Sequence, residues 1–427
     1  MLPQLRELES KYSRQLAVVG VHSGKFHAER VTARIRDASL RLDASHPVLN
    51  DRQFRTWRSY AVSAWPTLVA IDPSGYVVGT HAGEITAEML FPFIDGVIES
   101  SRSRGTLKEE SLHFEADQPT YAPGLLRYPG KVQVHGERII ISDSGNHRVL
   151  VARLGDDPNI ATVEMTFGNG EPGFIDGKSG RLNSPQGTAV DGYTLYIADS
   201  ENHSIRAGDL STGELTTFAG TGAQMRTRSD KQHGAMSSPW DLAIGGDALY
   251  VAMAGTHQIW AVDLTTRASR VHSGMGGEDI RDGEHHTALL AQPMGIVGSG
   301  NRLYFADSES SAIRWAEVTE DGSVGTVTGT GLFDFGDVDG TGDEVRLQHA
   351  QGVTNHPNGG LLVADSYNDC VKIVDPEART VKTWVRGLNE PSGISCSASH
   401  AYVADTNAHR IAAIDLKTQE VNELRLE

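Results

Sequence analysis

The sequence predicts two units: an α/β domain over residues 1–104 and an all-β six-bladed propeller over residues 123–427. Residues 105–122 are expected to be a linker with a possible ring-closing strand. Three observations predict this. Six segments of the longer part share one pattern in register. The chain of 427 residues holds 46 glycines with only 22% charged residues, which favours turns and therefore many strands. The first hundred residues alternate helical with extended apolar periodicity.

Taken in chain order, residues 2–12 read as a helix, 16–22 ("LAVVGVH") as a buried strand and 25–40 as an amphipathic helix. After "HPVLND" (46–51) a helical run reaches Tyr60. Two strands follow, "WPTLVAID" and "YVVGTHAG", turning at "DPSG" (72–75), and then a helix from about Thr86 to Ser100. The segment "SRSRGTLKEE" (101–110) reads as a polar, flexible linker, and "SLHFEA" (111–116) as a strand that could pair with the last blade.

The order αβα–α–ββα with "W-P-T" before a strand resembles the thioredoxin-like fold, closest to its peroxiredoxin- and TlpA-like branch. The resemblance implies that Pro66 is cis and that the backbone around Trp65, Pro66 and Thr67 holds a peptide or thiol substrate. It also implies a first strand and a C-x-x-C motif leading into "L-P-x-L-x-x-L", which Leu2-Pro3-Gln4-Leu5-Arg6-Glu7-Leu8 matches. No cysteine precedes Cys370, so the domain is expected to be N-terminally incomplete, lacking that strand and the CxxC, and redox-inert as written. Such a sheet would lack its central strand, leaving unpaired backbone between two apolar strands.

The repeat units begin at Tyr128, Ser184, Ser238, Gln292, His349 and Glu390. Their core "A-D-S-x-N" aligns Asp143, Asp199, Asp307, Asp365 and Asp405, with Met253 in the third slot. Successive spacings of 56, 54, 54, 58 and 40 residues suit four strands and a variable loop. Each unit runs from a short P-x-G-x-x-V strand through an alternating strand such as "LYIAD" and a polar turn to a third strand. A fourth follows, as in Thr212 to Gly220. Six four-stranded units make a six-bladed propeller. The stretches "SDSGNHRV" (142–149), "ADSENHSI" (198–205) and "ADTNAHRI" (404–411) resemble NHL repeats, a family of six-bladed interaction platforms. The two-unit order is similar to NHL-repeat-containing proteins with an N-terminal thioredoxin-like domain, of bacterial type.

The repeated Asp and Asn are expected to bond their own turns. His147, His203, His257 and His409 fill one equivalent position in four blades, so they form a ring and do not converge. Cys370 and Cys396 read as small buried hydrophobes. The Asp-Gly pairs at 176–177, 282–283 and 339–340 read as turns, "DFGDVDGTGDE" (334–344) lacks the spacing of a Ca²⁺ loop, and His285-His286 is isolated.

The inner strand of each blade begins at the central channel, so the residue after the repeated proline should approach its mouth. Those residues are Gly130, Gln186, Trp240, Met294, Gln351 and Ser392; one step on, most blades have Gly, but two hold Lys131 and Asp241. A binding surface with Trp240 as anchor and Gln and Lys at its rim is expected there. The ring holds no His or Glu, so no metal or other cofactor is expected.

Residues 1–104 hold 13 Lys and Arg against 11 Asp and Glu, a net of +2, so the remainder carries −19 of the chain's −17. An acidic body argues against nucleic acid and membrane surfaces. With two cysteines, no apolar leader at the start and no apolar run of spanning length, a cytoplasmic setting is expected. The function expected is a binding or scaffold protein recognising a protein or peptide. The rivals are a thiol oxidoreductase with its CxxC upstream and a propeller hydrolase or lyase using a channel metal.

Overall fold

A computed structural model describes residues 2–83, 85–110, 125–226 and 234–427. The chain forms two compact units, residues 1–122 and 123–427.

The first unit runs α1 (Leu2–Lys11), β1 (Gly20–His22), α2 (Thr32–Arg41), β2 (Val48–Asn50), α3 (Arg55–Ser59), β3 (Thr67–Ile71), β4 (Val77–Ala82) and α4 (Ala87–Ser103). Strand β1 pairs with β2 in parallel and β3 with β4 antiparallel, as two separate two-stranded sheets. The strand expected over 16–22 is therefore only three residues long, because β2 offers it three partners. Val21 in β1 and Ile71 in β3 are 43% and 49% exposed, and Val19, just before β1, is 57% exposed.

The helix expected over 25–40 begins only at Thr32. A 3-10 turn, Ala28–Arg30, precedes it, and the Arg30 guanidinium donates to the carbonyls of Gly24 and Lys25. Thr86 caps α4 by accepting the Met89 N–H. That helix runs on through Ser103, so 101–103 is not linker, and Arg102 pairs with Glu109 at 2.9 Å. The segment 111–116, expected as a ring-closing strand, lies outside the described residues. The Trp65–Pro66 bond is cis.

The second unit is a six-bladed propeller. Its inner strands are Lys131–His135, Pro185–Asp191, Pro239–Gly245, Pro293–Ser299, Gly352–Asn355 and Pro391–Cys396. Each leads outward through three more antiparallel strands. The fourth and fifth blades gain a short fifth strand from the preceding link, Gly283–Glu284 and Gly340–Thr341. The chain end closes the ring. Val421–Glu423 is the outer strand of blade six, and then Arg425–Leu426 crosses to pair in parallel with Ile160–Ala161 of blade one. Leu424, 3% exposed, is buried in the cluster that joins the two blades.

The repeated polar residues build the frame. One oxygen of each aspartate accepts a backbone N–H from the incoming link: Arg127, Asn183, Ala291, Gln348 and Asn389, at 2.5–2.8 Å. The next residue's hydroxyl reaches forward to the following blade, as Ser144 Oγ does to the Pro185 carbonyl (2.6 Å) and Thr406 Oγ1 to Pro129 (2.8 Å). The ring histidines stand at left-handed turns, φ 51° at His147 and 56° at His409. Three of their Nδ1 atoms accept the next blade's N–H, His147 from Ser184, His203 from Ser238 and His409 from Tyr128, each at 3.1 Å, whereas His257 Nδ1 has no partner among the described residues. The His409 bond bridges blade six to blade one.

Blade three departs from this, with Met253 and Ala254 where the others have Asp and Ser. Its seam with blade four is filled by His272 and His285, ring centroids 4.3 Å apart. His272 Nε2 donates to the Glu317 carbonyl (2.8 Å), while its Nδ1 has no partner among the described residues. Burial and the neighbouring His285 hold His272 down to about 4. A group with a depressed folded pKa loses stability as pH falls from its unfolded value, about 6.5, towards its folded one. Stability should therefore drop between pH 6.5 and 4 by on the order of 3 kcal/mol from this group. Urea unfolding across that range should show a flatter profile for His272→Phe; identical profiles would refute the seam assignment.

Candidate functional site

The inner strands line a channel, and the residue two places after the repeated proline (after Ala350 in blade five) fixes its width. In four blades that residue is glycine, and each has a neighbour where a Cβ would sit. At Gly295 it would meet the Gln351 carbonyl at 2.6 Å, at Gly352 the Ser392 carbonyl at 2.7 Å, and at Gly393 the Lys131 Cα at 2.6 Å. At Gly187 it would fall on the Asp241 carboxylate. The two remaining positions hold Lys131 and Asp241, whose side chains fill the bore. Lys131 Nζ donates to the Met294 carbonyl (2.7 Å) and the Gln351 carbonyl (2.6 Å) and pairs with Asp241 Oδ2 at 3.3 Å. Asp241 accepts the N–H groups of Leu242 (3.0 Å) and Ile296 (3.2 Å).

Lys131 is only 4% exposed, inside the channel and not on its rim. Burial pulls its ammonium down and pushes the Asp241 carboxyl up, and each is opposed chiefly by the other's charge. Two carbonyls on the ammonium and two N–H groups on the carboxylate favour the ionised pair. The ammonium stands where three oxygens converge, so the donor set that could hold a hard cation already holds one.

The other expected residues divide. Gln186 and Ser392 sit in seams: the Gln186 carbonyl accepts the Ser142 hydroxyl, and Ser392 Oγ donates to the Gly130 carbonyl at 2.5 Å. Gln351 Nε2 lies 3.1 Å from His349 Nδ1. Met294 is buried. Trp240 is half-buried at the mouth, and its indole N–H has no partner among the described residues. Trp65, Pro66 and Thr67 belong to the first unit. Trp65 is 48% exposed, packs against Trp57 with ring centroids 4.5 Å apart and planes tilted by 41°, and donates to the Ser23 carbonyl at 2.8 Å. Thr67 Oγ1 donates to Ala64, and the Pro66 carbonyl accepts Gly83 N–H.

Beyond the ion pair, the bore widens into a cavity of about 470 Å³. Gln133, Thr188, Ser299, Arg302, Thr354 and Ser395 line it with Lys131, Asp241 and apolar side chains, so the wall is mixed and more polar than apolar.

A second set of charges was not anticipated. Arg206, fully buried, donates to Asp199 (3.0 Å) and to Asp176 (2.5 Å) in the preceding link. Arg314 does the same to Asp307 and Asp282, at 3.0 and 2.9 Å. In blade five Lys372 reaches Asp337 (2.5 Å) and Asp339 (2.9 Å) but donates no bond to Asp365. Asp365 is accordingly pushed by burial up to about 7, with Asn368 at 2.7 Å as its nearest donor on that side. Asp337, Asp365 and Cys370 cluster within 4.8 Å, but the lysine ammonium already serves the first of them. The Asp-Gly pairs are thus anchors for buried cations as well as turns. Burial pushes the Cys370 thiol up beyond the range of a reactive cysteine, and Cys396 up to about 12.

If the Lys131–Asp241 pair holds the bore, Lys131→Met leaves a buried carboxylate and should cost about 3–5 kcal/mol in urea unfolding. A Lys131→Met/Asp241→Leu double variant should recover at least half of that. Equal losses in both would show that the two charges do not act as a pair.

No family model matches the chain. Over 98% of its length it is 37% identical to NHL repeat-containing protein 2 of Gallus gallus, of which it spans 64%. Over 99% it is 36% identical to NHL repeat-containing protein 2 of Homo sapiens, spanning 65% of that protein. It is also 36% identical to Protein SUPPRESSOR OF QUENCHING 1, chloroplastic, of Arabidopsis thaliana, spanning 43% of it. A solved protein of unknown function from Bacteroides thetaiotaomicron superposes at a TM-score of 0.50 with 15% identity, over 69% of this chain and 71% of that one. That likeness concerns the fold alone. Along nearly its whole length the chain is similar to NHL repeat-containing proteins, of which it spans just under two thirds, and residues 123–427 form a six-bladed propeller.

Proposed function

We propose that this chain is a binding or scaffold protein whose propeller recognises a protein or peptide at the channel mouth. The observation that carries this is Trp240: a half-buried aromatic ring beside a bore closed by Lys131 and Asp241, with its indole N–H unpartnered. A half-buried aromatic side chain with part of its apolar body open at the mouth suits a protein anchor; its indole N–H is itself buried and faces inward. The repeated Asp, Ser and His are spent on the frame, which favours recognition over catalysis. A channel-metal hydrolase is disfavoured because the ammonium occupies the converging oxygens.

We read the first unit as a thioredoxin-like domain without redox activity in this chain. The order of α1 to α4 and β1 to β4 supports that reading, as do a parallel β1–β2 pair and an antiparallel β3–β4 hairpin turning at Asp72–Gly75. In that fold one more strand stands between β1 and β3, where this chain has two unjoined pairs. Trp65, Pro66 and Thr67 remain its expected peptide-contact positions. The two cysteines are unbridged, which fits a reducing, cytoplasmic setting. No described helix is long and apolar enough to cross a membrane.

The test compares partners retained by the wild-type chain, Trp240→Ala and Tyr193→Ala, the last at the far end of the propeller, by quantitative affinity capture from the source cells. Trp240→Ala should lose specific partners at least tenfold, and Tyr193→Ala should keep them. Retention by Trp240→Ala at wild-type levels would sink the mouth as the binding site.

A further inference from the structure

Seven large apolar residues of the second unit are exposed among those described, and six lie in links at the mouth end of the blades. Besides Leu125, Phe174 and Ile175, these are Met275 (57%), Phe333 (68%) and Val338 (47%), all three in the links 274–292 and 329–349 that lead into blades four and five. Exposed apolar side chains gathered on one face mark an interaction surface more often than chance.

These two links are held firmly. Arg314 donates to the carbonyls of Leu289 (2.6 Å) and Arg281 (3.0 Å) as well as to Asp282. Lys372 holds Asp337 and Asp339, and Arg379 holds Asp343 at 2.6 Å. A surface fixed in this way loses little conformational entropy on binding.

The same links carry nine Asp and Glu against two Arg. Four of the acids are neutralised by the buried or half-buried cations just named, and Glu284 lies 3.4 Å from His286. Glu278, Asp279, Asp334 and Glu344 are exposed and form no ion pair among the described residues. Interleaved with Met275, Phe333 and Val338, they present apolar contacts on a negative field.

We infer that this sector of blades four and five docks a basic protein segment, one in which Lys or Arg alternates with large apolar residues. The inference deepens the channel-face reading and rests on it for the class of partner. Complementary charge would set the register and association rate, and the apolar side chains the residence time.

The experiment uses two labelled 14-residue peptides of equal Leu and Phe content, one with Arg and one with Glu at the remaining positions. Fluorescence anisotropy against the full chain should show binding of the Arg peptide alone, weakening with salt. Glu278→Gln/Asp279→Asn/Asp334→Asn/Glu344→Gln should weaken it at least tenfold, and so should Met275→Ser/Phe333→Ser. Asp156→Asn/Asp247→Asn/Asp321→Asn, in hairpins at the far end, should leave it within twofold. An Arg peptide that fails to bind, or that responds equally to far-end neutralisation, overturns the inference. If Trp240→Ala abolishes binding while the sector variants do not, the mouth reading stands and the sector falls. If the sector variants abolish it and Trp240→Ala does not, the sector stands and the Trp240 anchor falls.

Discussion

A lysine ammonium and a carboxylate, placed where the other four blades have glycine, close the propeller's bore. Six inner strands converge on an axis, and two places after the repeated proline or its equivalent four have no side chain because neighbouring backbone, or at Gly187 the Asp241 carboxylate, occupies the space. What is left is one opening, spanned from blade one to blades three, four and five by Lys131. Everything proposed about function follows from this: the mouth and the cavity beyond are separate, and oxygens suited to a metal are already paired with a cation.

The frame around that bore is built by local rules applied in five of the six blades, blade three excepted. Each aspartate ties its own incoming link, each serine or threonine reaches the next blade, and each left-handed turn residue receives the next blade's N–H. Buried carboxylates are costly unless a cation or several donors meet them. Blades one and six supply Arg148 and Arg410 from the strand's first residue, each 2.8 Å from its aspartate. Blades two and four supply Arg206 and Arg314 from its third residue. Blade five has a lysine there, too short to serve Asp365 and the link together, and burial pushes Asp365 up to about 7, against about 6 for Asp199, which Arg206 meets.

Much of this could be read from the sequence. The in-register Asp, Ser and His predict both the blade count and their own structural use, because a repeated residue on a ring cannot converge on one substrate. The cations that anchor the links could also have been found. Arg206, Arg314 and Lys372 stand seven residues after the repeated Asp in those blades alone whose links carry Asp-Gly. The Lys131–Asp241 contact was visible as two exceptions to a glycine rule, but not as a pair, since 110 positions separate them and only the closed ring brings them together. Ring closure by Arg425–Leu426 was missed because two residues carry no periodicity. Strand β1 came out short because strand length is set by the partner available, which apolar pattern alone does not report.

The most direct test of the closed bore is a crystal soaked in Mn²⁺ and examined by anomalous diffraction. The account predicts no anomalous peak in the channel, with Lys131 Nζ in place between Asp241 and the carbonyls of Met294 and Gln351. A peak bound by those three oxygens, with Lys131 swung aside, would contradict it and return the channel to metal chemistry.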